Sequence, residues 1–218
     1  LYTTEIVGKM SSLSDIEIRS ALSPYDFVPS SQICSLTRAY IETLLRWNQR
    51  ISLTTVTEPA KILRFHFGES LFAIKAAGIE LGRLADVGSG AGFPGLALAL
   101  ALPGLQATLI ESSAKKATFL AEVIRTLNLP QVRVLRERME DISSQETTFD
   151  FITARAVGNH EELLSWAQSR FTLGGAAVLW LGEQGCQEIL SVDGWVWSNP
   201  AQIPGSRSRF ILSGSPRS

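Results

Sequence analysis

The sequence has little cysteine, little charge and no long apolar run. Its 2 cysteines, Cys34 and Cys186, show neither Cys-x-x-Cys nor Cys/His ligand spacing, so neither a disulfide framework nor a metal site is predicted. The longest apolar run covers only residues 95–102, whereas a helix needs roughly 20 residues to cross a bilayer. Charged residues make up 19% of the 218 residues and hydrophobic ones 45%, which excludes a disordered chain. We expect a folded cytoplasmic protein with reduced thiols and no contact with membranes.

The two signs of charge almost balance, but the basic residues are unevenly distributed. Against 20 Lys and Arg stand 21 Asp and Glu, and this near-neutral total is unlike the basic domains that usually bind nucleic acids. However, segment 115–138 has 6 basic and 2 acidic residues, and segment 36–64 has 5 basic and 2 acidic ones. These two segments are either candidate polyanion-binding surfaces or solvated helix faces.

The first 80 residues are predicted to be helical. Apolar residues recur every three or four positions across 31–47, and a second helix is predicted from Pro59 to a stop at Gly78. After residue 81, short apolar runs alternate with segments of helical length. This alternation predicts an α/β domain whose parallel sheet is covered by helices on both faces.

The domain boundaries follow from this change of pattern. We predict an N-terminal helical extension over 1–80 and an α/β domain over 81–218, in a chain expected to be a monomer. A closing hairpin is predicted from 195–198 and 208–212, with 213–218 as a loose tail. The predicted strands are 84–87, 107–110, 132–135, 149–153 and 176–181, and the predicted helices of this domain are 94–102, 114–127 and 161–171.

The segment 86–95 carries the most informative motif, because it follows the first predicted strand and opens a helix. Residues 90–95 match the dinucleotide-binding pattern G-x-G-x-x-G. In that pattern, however, the count begins at the first glycine after the strand, here Gly88, and Phe93 then stands in place of the third glycine. The pattern D-x-G-x-G-x-G of class I methyltransferases fits at every position. It is formed by Asp86, Gly88, Gly90 and Gly92.

An acidic residue strengthens this second interpretation. Glu111 ends the second predicted strand, 25 residues after Asp86, where a carboxylate accepts hydrogen bonds from both hydroxyls of a ribose. The glycine-rich turn and Glu111 together predict a site for S-adenosylmethionine. A nicotinamide dinucleotide, and hence an NAD-dependent oxidoreductase, stays the alternative.

Flanking segments narrow the match to one family. The chain resembles the bacterial 16S ribosomal RNA guanine-N7 methyltransferases over about residues 30–212. The segments that carry the resemblance are Trp47-Asn48, Leu53-Thr54, 66–71, 86–95, Glu111-Ser112, Lys115-Lys116, Phe119-Leu120, 138–140 and Arg155-Ala156.

The resemblance implies a Rossmann-like class I fold, S-adenosylmethionine as cofactor, and 16S ribosomal RNA or the small subunit as partner. It places Gly88, Phe93, Met139, Glu140 and Arg155 at cofactor-binding positions, with Met139 and Glu140 beside the adenine. Together with Asp86, Gly90, Gly92 and Glu111 they form the predicted cofactor site.

Guanine N7 attacks with a lone pair of the neutral base, so no proton has to be removed first and no metal is required. Catalysis then depends on positioning and electrostatics. Arg155 is the catalytic candidate, because it follows a strand at the ligand edge of the sheet and has donors for the cofactor or for guanine O6. His66, Lys115 and Lys116 are the candidate contacts to RNA.

Some residues depart from the family pattern. Leu181 stands where the family commonly has Lys, Glu69 where it usually has Asp, Ser52 where it usually has Asn, and Phe65 where a basic residue is frequent. The substrate side is therefore open to alternatives. These are a methyltransferase acting on a protein or a small molecule, and a non-catalytic RNA-binding module.

Overall fold

The structure, a computed structural model, describes residues 13–143, 148–156 and 158–217. Within residues 13–80, the structure has four α-helices and a short 3₁₀ helix, Ser23–Tyr25. The α-helices are α1 (Asp15–Leu22), α2 (Ser31–Asn48), α3 (Pro59–Ile62) and α4 (Glu69–Ala76), and a π-helical segment, Leu63–Gly68, joins α3 to α4. The side chain of Ser30 caps α2 by accepting a hydrogen bond from the backbone N–H of Ile33. The helices predicted from 31 and from Pro59 are thus present, and the second contains a π-helical interruption.

Strands and helices alternate through most of the remaining chain. Helix α6 begins and ends at the predicted residues. Asn128, in a left-handed conformation, stops it at its C-terminal end. The elements are β1 (Gly82–Val87), α5 (Gly95–Ala101), β2 (Leu105–Ile110), α6 (Ala114–Leu127), β3 (Val132–Leu135), β4 (Phe149–Arg155), α7 (His160–Gln168), β5 (Phe171–Gly182), α8 (Glu183–Leu190), β6 (Trp195–Trp197), β7 (Ala201–Gln202) and β8 (Arg209–Pro216).

The strands form one sheet in the order β3-β2-β1-β4-β5-β8-β6, and β7 pairs with β8. Strands β1 to β5 are parallel, as predicted, and β8 is antiparallel to β5 and β6. The carboxyl ends of the parallel strands therefore meet at one edge, where open α/β folds bind their ligands. The expected Rossmann-like fold class is confirmed.

The prediction of a loose tail over 213–218 is wrong for the part that the structure describes. Strand β8 continues to Pro216, because its residues 212–214 pair with residues 177–179 of β5 and its residues 214–216 pair with residues 195–197 of β6. The ring of Trp197 packs against Gly214 so closely that a Cβ there would collide with it. Helix α8, which the sequence analysis did not predict, lies between β5 and β6.

Two hydrophobic clusters lie on the two faces of the sheet. One includes Leu44 of α2, Phe67 of the π-helical segment, Leu96 of α5 and Phe119 of α6, so the N-terminal helices share a core with the α/β domain. The other is covered by α7 and α8. No helix within 13–143, 148–156 or 158–217 combines the length and apolar character needed to span a bilayer.

Candidate functional site

The turn after β1 depends on glycine conformations. Gly88, Gly90 and Gly92 have φ values of 70°, 57° and 88°, in the left-handed region that side chains disfavour. The N–H groups of Gly88 and Ser89 donate to the carbonyl oxygen of Ile110 at the end of β2, at 2.9 and 3.1 Å. The turn is thereby fixed between the carboxyl ends of β1 and β2.

Asp86 braces this turn from below. Its side chain is fully buried; Oδ2 accepts from the N–H of Gly95 at 3.1 Å and Oδ1 from the hydroxyl of Thr153 at 2.8 Å. Burial raises its pKa from the ordinary 3.8 to about 6, although these hydrogen bonds favour the charged form. Both contacts join the turn to α5 and β4, which supports a bracing role. A direct contact between Asp86 and the cofactor stays a prediction.

Glu111 meets the same turn from the end of β2. Its side chain is buried; Oε2 accepts from the N–H of Gly90 at 2.9 Å and Oε1 from the N–H of Ser113 at 2.8 Å. Each oxygen of an ionised carboxylate accepts more than one hydrogen bond, so acceptor capacity is left for a ligand. The structure therefore brings the predicted turn and the predicted acid into direct contact.

These residues fit an adenosyl ligand. A Cβ built on Gly90 would meet nothing nearer than the carbonyl oxygen of Gly88 at 3.7 Å, so space lies open at that point of the turn. The carboxylate of Glu111 is the acceptor that a ribose diol requires. Met139 is buried in a 3₁₀ helix after β3, within the same hydrophobic cluster as Val87. Glu140 next to it is exposed and contacts Arg138 at 3.5 Å. Their placement beside an adenine stays a prediction.

The N-terminal helices hold the turn through a stack of rings. Phe93 lies between Tyr40 of α2 and His66, with ring centroids 5.3 and 4.9 Å apart. The Tyr40 hydroxyl donates to the carbonyl oxygen of Ala91 at 2.6 Å, and a Cβ at Gly92 would collide with it. Sequence reasoning identified Phe93 and His66 but missed Tyr40, which belongs to an apolar helical stripe and gives no local sign of this role.

His66 lies in the π-helical segment, half-buried beside the turn. Its Nε2 is 2.8 Å from the hydroxyl oxygen of Thr54, and its Nδ1 is buried without a hydrogen-bond partner. Burial, together with the positive charge of Arg155, lowers its pKa from 6.5 to about 4. His66 is therefore neutral at physiological pH, and its predicted contact with RNA would be a hydrogen bond or a stacking contact.

Arg155 ends β4 at the ligand edge of the sheet. Its Nη2 donates to the carbonyl oxygen of Phe65 and to Oε2 of Glu69, both at 3.0 Å, while its Nη1 is buried without a partner. Ala156, which follows, has a φ of 60°, an uncommon conformation for a residue with a side chain. The structure thus pairs Arg155 with a carboxylate of the N-terminal part. Its roles toward cofactor and guanine stay predictions.

Lys115 and Lys116 occupy the first turn of α6, which begins at Ala114, three residues after Glu111. Lys115 is exposed and Lys116 half-buried, and neither forms an ion pair with any residue that the structure describes. A cation in the first turn opposes the helix dipole, so fold stability does not account for the pair. Contact with RNA phosphates stays a prediction.

A glycine turn bound to a buried acid at the ligand edge of a parallel sheet defines the site of a class I methyltransferase. Solved structures share this fold. A SAM-dependent methyltransferase from Aquifex aeolicus has a TM-score of 0.58 at 16% identity, covering 71% of this chain and 92% of its own. The glycopeptide N-methyltransferase MtfA complexed with sinefungin has a TM-score of 0.59 at 9% identity, covering 70% and 94%. Such low identities establish the fold alone.

The chain belongs to the GidB family, rRNA small subunit methyltransferase G, whose family description matches residues 33–198. A protein named ribosomal RNA small subunit methyltransferase G from Xylella fastidiosa is 37% identical over 180 residues, which are 80% of this chain and 84% of that protein. The protein of the same name from Desulfitobacterium hafniense is 37% identical over 154 residues, 69% of this chain and 64% of that protein. The cofactor is S-adenosylmethionine, and an NAD-dependent oxidoreductase is not favoured.

Proposed function

We propose that this chain transfers the methyl group of S-adenosylmethionine to N7 of a guanine in 16S ribosomal RNA, as a monomer in the cytoplasm. The observation that carries the proposal is the contact between the buried Glu111 carboxylate and the N–H of Gly90 at 2.9 Å. It joins an acceptor for a ribose to a turn that leaves room for one. The relatives named ribosomal RNA small subunit methyltransferase G support RNA as the substrate, and two unpaired cysteines support a reducing compartment.

The bound cofactor supplies a methyl group made electrophilic by a sulfonium. The protein's part is to hold that group in line with the incoming base. Glu111 would accept the hydrogen bonds of the ribose, and Met139 would contribute an apolar contact to the adenine. Asp86 keeps the turn in place through its contact with the N–H of Gly95. Because Tyr40 binds the turn from α2, the N-terminal part takes part in holding the site.

The substrate side needs donors rather than a base. N7 of a neutral guanine carries a lone pair, so no side chain has to remove a proton before attack. This agrees with a His66 that is neutral and half-buried. Arg155 would donate to the cofactor or to guanine O6. Lys115 and Lys116, beside the cofactor turn, would bind flanking phosphates.

The proposal is tested with purified protein, labelled S-adenosylmethionine and small ribosomal subunits that lack 7-methylguanosine. We expect label in 16S RNA and, after chemical cleavage at 7-methylguanine, one new stop in primer extension. G88R should abolish both the labelling and the calorimetric binding of the cofactor, because an arginine would fill the turn. G194R is the matched control, since Gly194 also has a positive φ but lies in an open turn away from the site.

The same assay separates the alternatives. Label in a protein or in a small molecule, with none in RNA, would show that the substrate is not RNA. Cofactor binding without any transfer would indicate a non-catalytic RNA-binding module. Unchanged cofactor binding in G88R would refute the site assignment. Light scattering after size-exclusion chromatography tests whether the protein is a monomer.

A further inference from the structure

A charged cluster of Glu69, Arg155 and Arg209 borders the cofactor turn. The carboxylate of Glu69, whose side chain is 1% exposed, contacts two arginines. Its Oε2 is 3.0 Å from Nη2 of Arg155, and its Oε1 is 2.5 Å from Nη1 of Arg209. Since two guanidiniums share one carboxylate, the cluster keeps one positive charge in excess. This excess favours an anionic ligand.

Arg209 is the accessible member of the cluster. Its side chain is 40% exposed, and its guanidinium carbon lies 5.4 Å from the ring centroid of Phe65. Its Nε donates to the hydroxyl oxygen of Ser206 at 3.1 Å. Its Nη2 is not buried and has no hydrogen-bond partner among the residues that the structure describes. The guanidinium is therefore held on one side by protein groups and offers a free donor on the other.

The cluster lies beside the cofactor turn. Phe65, under the Arg209 guanidinium, precedes His66, whose ring stacks on Phe93 of the turn at 4.9 Å. Arg155 closes the connection, because its Nη2 also donates to the carbonyl oxygen of Phe65. The phosphates that flank a guanine entering the site from this side would pass along this rim. Arginine suits them, because its forked donors match phosphate geometry.

We propose that Arg209 contacts a backbone phosphate of the substrate RNA and that Glu69 is the positioning residue that orients Arg209. This inference rests on the proposed function, because it takes the substrate to be RNA. A phosphate contact contributes affinity and salt dependence but carries no sequence information. Its loss should therefore weaken all RNA binding and leave the binding of the cofactor unchanged.

The first experiment measures the Kd of an unmodified 16S RNA transcript between 50 and 300 mM KCl. We expect R209Q to bind about tenfold more weakly at low salt, the loss typical of one charge-assisted hydrogen bond. The slope of log Kd against log salt should fall by about 0.7 to 1, the value for one phosphate contact. R207Q is the matched control. Arg207 is exposed in the same turn, and none of the residues that the structure describes forms a hydrogen bond or ion pair with its side chain, so the slope of R207Q should match that of the wild type. An unchanged slope in R209Q, or an equal fall in R207Q, would overturn the assignment.

The second experiment tests whether Glu69 acts through Arg209. E69Q should weaken RNA binding, whereas E69D should retain most of it, because aspartate keeps the charge. The double variant E69Q/R209Q should bind RNA no more weakly than R209Q alone, since coupled residues are not additive. E122Q is the control: it removes the ion pair of Glu122 with Arg46 at 2.8 Å, another link between the N-terminal helices and the α/β domain. Additive losses, or equal weakening in E122Q, would refute the positioning role.

The two proposals fail in different ways. If the wild type transfers no methyl group to RNA, the proposed function is wrong, and so is the proposed phosphate contact, which depends on it. If the wild type methylates 16S RNA while R209Q keeps the wild-type salt slope, only the assignment of Arg209 fails.

Discussion

Replacing Asp86 by asparagine is expected to stabilise the protein at neutral pH, although Asp86 belongs to the most distinctive motif. The carboxyl is fully buried, and burial raises its pKa from 3.8 to about 6. Asparagine keeps the geometry: its oxygen accepts from the N–H of Gly95, and its amide donates to the hydroxyl of Thr153, which is within 3.3 Å of the carbonyl oxygen of Ala85.

The magnitude follows from the pKa. A tenfold change in proton affinity corresponds to about 1.4 kcal/mol, so a carboxyl displaced from 3.8 to about 6 costs the folded state about 3 kcal/mol when it is ionised. Below pH 3.8 Asp86 is protonated in both the folded and the unfolded states and costs nothing. The cost develops as pH rises and is complete above about 6. D86N should therefore be more stable than the wild type by up to about 3 kcal/mol at pH 7 to 8, with the difference vanishing toward pH 4.

Urea unfolding followed by tryptophan fluorescence at pH 4, 5, 6, 7 and 8 measures this difference. D150N is the control of opposite sign. Hydrogen bonds from the Thr172 hydroxyl and the backbone N–H of Arg83 outweigh burial and lower the pKa of Asp150, so its removal should cost stability at neutral pH. A D86N protein that is less stable than the wild type at pH 8, or a difference that does not change with pH, would refute the reasoning. Cofactor affinity close to that of the wild type in D86N would show that Asp86 only braces the turn.

Three further predictions concern the cofactor turn and its neighbours. E111Q should weaken cofactor binding in calorimetry by about tenfold or more, because one strong acceptor is lost, and unchanged affinity would remove Glu111 from the site. G92A should lower the free energy of unfolding by at least about 1 kcal/mol more than the control G194A, since both have positive φ but only Gly92 meets the Tyr40 hydroxyl; equal losses would contradict this. The pKa of His66 is about 4 in the folded state against 6.5 in the unfolded state, so the free energy of unfolding is highest above pH 6.5 and falls by about 3 kcal/mol as the pH drops to 4. H66Q should abolish this part of the pH dependence. The prediction would be contradicted if denaturant unfolding showed that the free energy of unfolding of H66Q depends on pH as steeply as that of the wild type between pH 6.5 and 4.

Local signals in the sequence predicted most of the α/β domain. The strands were recognisable as short apolar runs, and the turn after β1 by glycines that its left-handed conformations require. Local composition was misleading over residues 213–217. Their Ser, Gly and Pro are typical of a loop, but pairing with β5 up to Gly214 and with β6 from Gly214 to Pro216 keeps residues up to Pro216 in β8. Tertiary pairing overrides local propensity there.

The contacts that complete the site could not be predicted, because they join distant parts of the chain. Glu69 and Arg155 are 86 positions apart, and Tyr40 and Ala91 are 51 apart. In the sequence, Glu69 has an ordinary explanation as an exposed helix charge, and Tyr40 has one as part of an apolar helical stripe. Only the packing of the N-terminal helices onto the sheet shows that Glu69 is buried between two cations.

The same packing bears on the lysine that the family commonly has at position 181. The indole N–H of Trp180 donates to the backbone carbonyl oxygen of Glu69 at 2.8 Å, so Trp180 faces the N-terminal helices. Successive residues of a strand point to opposite faces of a sheet. Leu181 accordingly lies in the other hydrophobic cluster, buried with Cys186 of α8. Replacing a lysine by leucine there changes the face covered by α8 and leaves the ion pair of Arg155 in place.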